Sequence, residues 1–398
     1  MSMTLVALYL SVLLLLLLGL LELTTHRRNL NRIRLRIHVN GTRGKSSVTR
    51  LIAAGLREGG IRTCAKTTGT LPRMILDDGR EFPVFRPSRA NIIEQRRIVS
   101  TAAAYRAEAL VVECMAIQPA LQSLSELKLI RSTHGVITNA RADHLDAMGP
   151  TEQDIAKALA GTTPVNGHLF TTDDRFRDEF AAACSDRHSV HHPVTSHDAA
   201  YVSDDDLRRF SYTEHRDNVA LALSVCEACG VDRQVALRGM WRAKPDPGAL
   251  TECRVDFFGR RIYFVNGFAA NDPESTGYIW KLMLEKRQRV DRRVAIFNCR
   301  ADRPERSEQL GKASATWPRA DRYLLIGGGT YLFAKAATDA GLPINDFVFA
   351  EDLPVSEIFE TIIGLCSQST LVMGMGNIGG PGLELVDYFH NRSALDRD

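Results

Sequence analysis

A chain of 398 residues is long enough to bury a large core and to hold two domains. Its composition, 44% hydrophobic and 24% charged, is that of a globular protein and excludes a disordered or fibrous one. The net charge of +3 is concentrated: Arg27, Arg28, Arg32, Arg34 and Arg36 lie in one acid-free run, and without those five the chain carries −2, which argues against a nucleic-acid partner.

Met3 to Leu21 is apolar almost throughout and carries no charge. About 20 such residues cross the roughly 30 Å hydrocarbon layer of a membrane. A signal peptide would want a basic start and a small-residue cleavage site, and neither is there. The arginines follow the span, so the positive-inside rule predicts a single-pass anchor with the body in the cytoplasm. A buried core helix is the alternative.

Ile33 to Val39 alternates as a strand does, and Val48, Leu51, Ile52 and Leu56 repeat as a helix does. Between them lies Gly41-Thr42-Arg43-Gly44-Lys45-Ser46-Ser47. A glycine loop between strand and helix turns its N–H groups onto an anion at the positive end of the helix. Lys45 is placed to reach the β- and γ-phosphates of a nucleotide, and the Ser46 hydroxyl to bind Mg²⁺. The complete Walker pattern wants another glycine where Val39 stands, so the match is to G-x-x-G-K-S. A tight turn with an exposed lysine is the alternative.

Gly59-Gly60 ends that helix. Arg62 to Thr67 predicts a second strand, 73–90 an irregular polar stretch, and Asn91 to Tyr105 a helix. Ala109 to Val112 is a short strand ending at Glu113, and His134 to Thr138 another ending at Asn139. Alternating strands and helices with polar residues at the strand ends describe a doubly wound α/β sheet, whose ligands sit at that edge. Glu113 and His144, the latter in Asp143-His144-Leu145-Asp146, are candidate Mg²⁺ ligands beside Ser46. Cys226 and Cys229 fall in a helical run and read as structural, and eight scattered cysteines suit a reducing compartment. His188, His191, His192 and His197 match no zinc spacing and read as a surface loop.

Pro245, Pro247 and Gly248 mark a linker. Beyond it Arg260–Val265, Val294–Asn298, Tyr323–Ile326 and Leu371–Met373 predict the strands of a second α/β domain. Two glycine runs, Gly327-Gly328-Gly329-Thr330 and Gly374 to Gly380, follow strands there. They fit either a second phosphate or tight turns.

The order of these motifs resembles a family. G-T-x-G-K-S, a strand-end Glu and T-N-x-x-x-D-H-L-D are together similar to the Mur ligases and folylpolyglutamate synthetases. His215-Arg216-Asp217-Asn218 resembles their adenine-contacting helix, which implies Asn218. Asn266-Gly267-Phe268-Ala269-Ala270-Asn271-Asp272-Pro273 resembles their loop at the start of the C-terminal domain, which implies Asn271. The family's usual N-terminal substrate domain is missing, and the apolar helix stands in its place. That feature, with Met148-Gly149-Pro150-Thr151 and the closing glycine run, narrows the resemblance to the CapB/PgsB subunits of poly-γ-glutamate synthase.

The resemblance implies a transmembrane anchor (1–25), a Mur-type P-loop ATPase domain (26–244) and a Rossmann-like ligase domain (245–398). It implies ATP and Mg²⁺ as cofactors, and activation of a glutamate γ-carboxylate as an acyl phosphate that the amine of the next glutamate displaces. Lys45, Glu113 and His144 are then the catalytic set, and Arg303 and Arg306 candidates for glutamate carboxylates. Glutamate, the growing polymer and membrane subunits of a synthase are the implied partners, and a homo-oligomer stays open. Two positions depart from the family: Leu159 stands at its carbamylated lysine, with Lys157 nearest, and Lys244 to Gly248 replaces its hinge arginine. Two other readings remain, a membrane-anchored P-loop kinase acting on tyrosines and a nucleotide-gated scaffold without ligase activity.

Overall fold

The computed structural model describes residues 3–69, 71–86, 90–268, 270 and 272–393. Two compact units divide between Asp246 and Pro247, except that Ser211–Thr213 joins the second.

The first unit begins with helix α1, Met3–Arg32, whose apolar part is exposed and long enough to cross a membrane. Its last turns are part of the body. Leu30, together with Ile33 just beyond the helix, enters the core, and His26 Nε2 lies 2.9 Å from the Leu129 carbonyl oxygen. Eight strands follow: β1 Leu35–Asn40, β2 Thr63–Lys66, β3 Arg73–Ile75, β4 Glu81–Pro83, β5 Ala109–Glu113, β6 His134–Ile137, β7 His168–Thr171 and β8 Val190–Pro193. They form one sheet in the order β4-β3-β2-β5-β1-β6-β7-β8, parallel except at β3 and β4.

Two expectations need correction here. Residues 73–90 are not uniformly irregular, because β3 and β4 pair around a turn whose Gly79 has φ 83°. Met74, Ile75 and Leu76 are buried, and β3 sits between β2 and the edge strand β4. His191 and His192 lie on edge strand β8, not in a loop. His192 stacks on Phe170 and bonds His168 at 2.9 Å, so the imidazoles pack where aliphatic side chains would.

The sheet is covered on both faces. On one, α1 and helix α3, Glu94–Ala104, bury Leu30, Ile98, Val99 and Ala102 against Leu110 and Val112. On the other lies helix α2, Lys45–Glu58, backed by helices Arg216–Ala228 and Arg233–Trp241. A Cβ on Gly55 would come within 2.8 Å of Cys226 Sγ, so glycine lets these helices close up. Cys226 is fully buried and burial pushes its thiol up, which makes the C-x-x-C a packing feature and not a thiolate site.

The second unit is a six-stranded sheet ordered β13-β12-β11-β14-β10-β9. Its strands are β9 Thr251–Phe257, β10 Arg260–Asn266, β11 Arg292–Cys299, β12 Arg322–Gly327, β13 Phe347–Glu351 and β14 Ser369–Gly376. All are parallel but β9, which hairpins onto β10. Apolar clusters fill both faces, one around Ile262, Phe264 and Phe389 and the other around Trp280, Phe297 and Phe333.

Candidate functional site at the centre of the first sheet

β1 lies between β5 and β6, with Val39 level with Glu113 and Asn40 level with Ile137. Strand order reverses here, so the crevice beyond the strand ends opens at this point. The loop Gly41–Gly44 leaves β1 into it. Gly41 and Gly44 have φ 131° and 78°, which favour glycine. A Cβ on Gly41 would come 2.0 Å from Thr138 Oγ1, and one on Gly44 2.9 Å from Asn218 Oδ1. The loop is thus held between two other segments that admit no side chain.

Lys45, Ser46 and Ser47 form the first turn of α2. The Lys45 ammonium donates to the carbonyls of Gly41 (2.7 Å) and Thr42 (3.3 Å), which keeps it in the mouth of the loop. Ser46 Oγ donates to Glu113 Oε2 at 2.8 Å. The Thr68 backbone N–H donates to the same oxygen at 2.6 Å, so Glu113, almost fully buried, ties the second loop to the first. A hydroxyl and a carboxylate meeting beside a phosphate loop are the hard oxygen donors that Mg²⁺ takes in company with phosphates. The donor set therefore fits the ion.

The strand-end Thr138 and Asn139 do more than the sequence reading assigned them. Asn139 Oδ1 accepts from Thr42 Oγ1 (2.7 Å) and from the Arg43 N–H (3.2 Å). Thr138 Oγ1 and Asn139 Nδ2 both donate to the Arg43 carbonyl, at 2.6 and 3.1 Å. The motif clamps the glycine loop from the neighbouring strand. Asn218 sits at the other side of the loop and donates to Glu214 at 2.8 Å. Arg50, buried on α2, binds Glu81 at 2.6 Å and lies 3.7 Å from Asp246. No local pattern announces such a long-range pair.

His144 is placed differently from Glu113. It has φ 48° at the start of a short helix, its N–H donates to Asp143, and its ring is partly exposed 3.8 Å from that carboxylate. Asp143 in turn lies 3.8 Å from the Arg43 guanidinium, which links this turn to the loop. Among the described residues no three His, Cys, Asp or Glu gather as a metal cluster. Leu159 is buried in a core cluster, whereas Lys157 is exposed. Asn271 lies outside the described residues.

In the second unit Arg303 precedes helix Pro304–Ser314, and with Arg306, Asn298 and Asn377 it lines a small pocket at the end of β11. An open cavity of about 900 Å³ adjoins it, bordered by Arg300, Gly328, Gly379 and Glu384. The N–H groups of Gly329 and Thr330 point to an internal anion: the Glu351 carboxylate accepts both, at 2.6 and 3.3 Å. The Thr330 hydroxyl, which also donates to this carboxylate, holds its pKa down first, and the two N–H bonds add to that. The glycine run there is a nest with its own carboxylate.

Comparison with known proteins follows the same division. The family model of the Mur ligase middle domain matches residues 39–240, and that of the poly-gamma-glutamate synthase CapB C-terminal domain matches 253–392. The capsule biosynthesis protein CapB of Bacillus anthracis is 39% identical over 371 residues, 93% of this chain and 79% of that one. The PGA synthase CapB of Bacillus subtilis (strain 168) is 37% identical over 377 residues, 94% of this chain and 95% of that one. Among solved structures, the bifunctional folylpolyglutamate synthase/dihydrofolate synthase of Yersinia pestis c092, complexed with AMPPNP and a Mn ion, superposes with TM-score 0.61 at 13% identity, covering 92% of each chain.

Proposed function

The chain belongs to the CapB family of poly-γ-glutamate synthases, and from that premise we propose how its residues carry out ATP-dependent amide ligation. The enzyme is an amide ligase of poly-γ-glutamate synthesis. The comparisons favour neither the tyrosine kinase nor the scaffold. In our reading a γ-carboxylate oxygen of glutamate, or of the growing chain, attacks the γ-phosphorus of ATP, and ADP leaves. The amine of the next glutamate then attacks the acyl carbon. The C–N bond forms, the C–O bond breaks, phosphate departs and the nitrogen gives up a proton.

The loop N–H groups of residues 41–47 and the Lys45 ammonium hold the β- and γ-phosphates and meet the charge that builds on them during transfer. Ser46 and Glu113, with His144, would hold the Mg²⁺ that neutralises phosphate charge. Thr138 and Asn139 keep the loop in its anion-binding shape before ATP arrives. Asn218 and Asn271 are assigned to the nucleotide, and Arg303 and Arg306 to glutamate carboxylates. The single-pass anchor, with the body in the cytoplasm, places the ligase beside the membrane subunits that an exported polymer requires.

The observation that carries the reading is the 2.8 Å contact between Ser46 and Glu113 at the phosphate loop of a chain in this family. The test is ADP release by the full-length protein with and without glutamate. Glutamate-dependent release is expected, and Lys45→Ala should remove it while circular dichroism stays unchanged. Turnover unaltered by that substitution would overturn the phosphate-loop assignment.

A further inference from the structure

The edge of the first sheet opposite the phosphate loop has a distinctive composition. Leu35, Thr63 and Ala109 are level with one another, as are His134, His168 and Val190, so the parallel strands start along one edge. The residues leading into four of them include exposed arginines: Arg34 before β1, Arg62 before β2, Arg106 before β5 and Arg131 before β6. Arg106 and Arg131 have φ 53° and 49°. Each ends a helical segment in the left-handed conformation that ordinarily selects glycine. Arginine stands there against backbone preference, which is the kind of outlier that points to a use.

The apolar helix enters at this same edge. Arg27, Arg28 and Arg32 are exposed on its last turns. Arg36 fastens the helix end to the sheet: its guanidinium donates to the carbonyls of Leu30 (3.2 Å), Ile33 (2.6 Å) and Arg131 (2.9 Å). No slack separates the span from the arginine-bearing edge. Of the acids nearby, Glu108 pairs with Arg62 at 3.3 Å, Glu126 is buried against His38 at 2.8 Å and accepts from Ser132, and Asp232 caps helix Arg233–Trp241. The positive charge of the edge is left largely uncompensated.

We propose that this edge is a docking face for the anionic phospholipid headgroups of the membrane that α1 crosses. The inference rests on reading α1 as a membrane anchor. Charge complementarity selects the occupant, because arginines next to a membrane surface are drawn to acidic lipid within a Debye length. β1 rises about 3.3 Å per residue, so the phosphate loop stands roughly 20 Å from the docked edge, open to cytoplasmic ATP. The body is then held upright, not tethered loosely.

The test uses the full-length protein in lipid nanodiscs of phosphatidylcholine, with or without phosphatidylglycerol, read by amide hydrogen exchange. Residues 61–63, 105–108 and 131–133 should exchange about tenfold more slowly in the anionic discs, and high salt should remove the difference. The double variant R106G/R131G removes two charges at positions where glycine suits the backbone. It should be at least as stable to urea, keep its glutamate-dependent ADP release in detergent, and lose most of the lipid-dependent protection. Equal exchange in both lipids, with the chain retained in the discs, overturns the docking face and leaves the anchor standing. A chain that does not enter the discs overturns both. Protection by soluble poly-γ-glutamate in phosphatidylcholine discs, with none from phosphatidylglycerol, reassigns the edge to the polymer and also overturns the proposal.

Discussion

Lys66 has no exposed surface, yet its ammonium sits 2.9 Å from Glu94 in the core beside the site. Burial lowers its pKa, and Glu94 works against that. Arg86 lies 2.6 Å from the same carboxylate. The two partners are therefore not equivalent. Lys66→Met leaves Glu94 paired with Arg86 and should lower stability by about 1–2 kcal/mol, whereas Glu94→Leu strands a buried ammonium and should cost about 3–5 kcal/mol. Urea unfolding of the two variants checks the order, and equal losses would refute the asymmetry. For the ion site, Glu113→Ala and His144→Ala are each expected to lower the glutamate-dependent rate about a hundredfold, near 2.7 kcal/mol of barrier. Lys157→Ala should change nothing and bicarbonate should have no effect, since Lys157 is exposed on a helix whose Leu159 is buried. A dead Lys157 variant rescued by bicarbonate would place a carbamate there after all. Glycine and lysine in the loop were legible because their chemistry is local. The roles of Thr138 and Asn139 were not, because their partners are some 95 residues away and only the strand order brings them together.

Among the elements, the central parallel strands were legible because they are short apolar runs bounded by polar ends. The strands toward the margins of the sheet were not. β3 has three residues, and β8 is built largely of histidine and proline, so neither shows the alternation that marks a half-buried strand. β8 belongs to a ladder of imidazoles across three strands. His134 stacks on His168 with ring centres 5.2 Å apart, and His168 bonds His192. Burial first, and then the neighbouring imidazoles, push His134 down to about 4. The unfolded chain, near 6.5, takes up that proton earlier as pH falls. Stability from this group is thus present above pH 6.5 and lost between 6.5 and 4, by up to about 3 kcal/mol. Urea midpoints measured across that range should fall with acid in the parent and fall less in His134→Gln. Parallel slopes would exonerate the ladder.

At the scale of the whole molecule, the apolar span and the body share a helix, and this moves the boundary at which the body can be cut. Starting near Asn29 removes His26 from its contact with Leu129, and starting near Asn40 removes Leu30, Ile33 and most of the central strand. A body starting near Glu22 should be soluble and cooperative, one starting near Asn29 less stable, and one starting near Asn40 unfolded by circular dichroism. A folded protein from Asn40 would show that β1 is dispensable. The position of β1 bears also on synthesis. The strand made first is the one at the middle of the sheet, and its partners β5 and β6 are made about 70 and 100 residues later. At roughly 5–20 residues per second, Ile37 and Val39 wait several seconds for neighbours while α1 is already made. The phosphate loop therefore cannot close until the ribosome has moved past residue 139. On arrested nascent chains of increasing length, β1 should resist protease only once β6 has emerged, so that the apolar helix leaves the ribosome well before the enzyme behind it can fold.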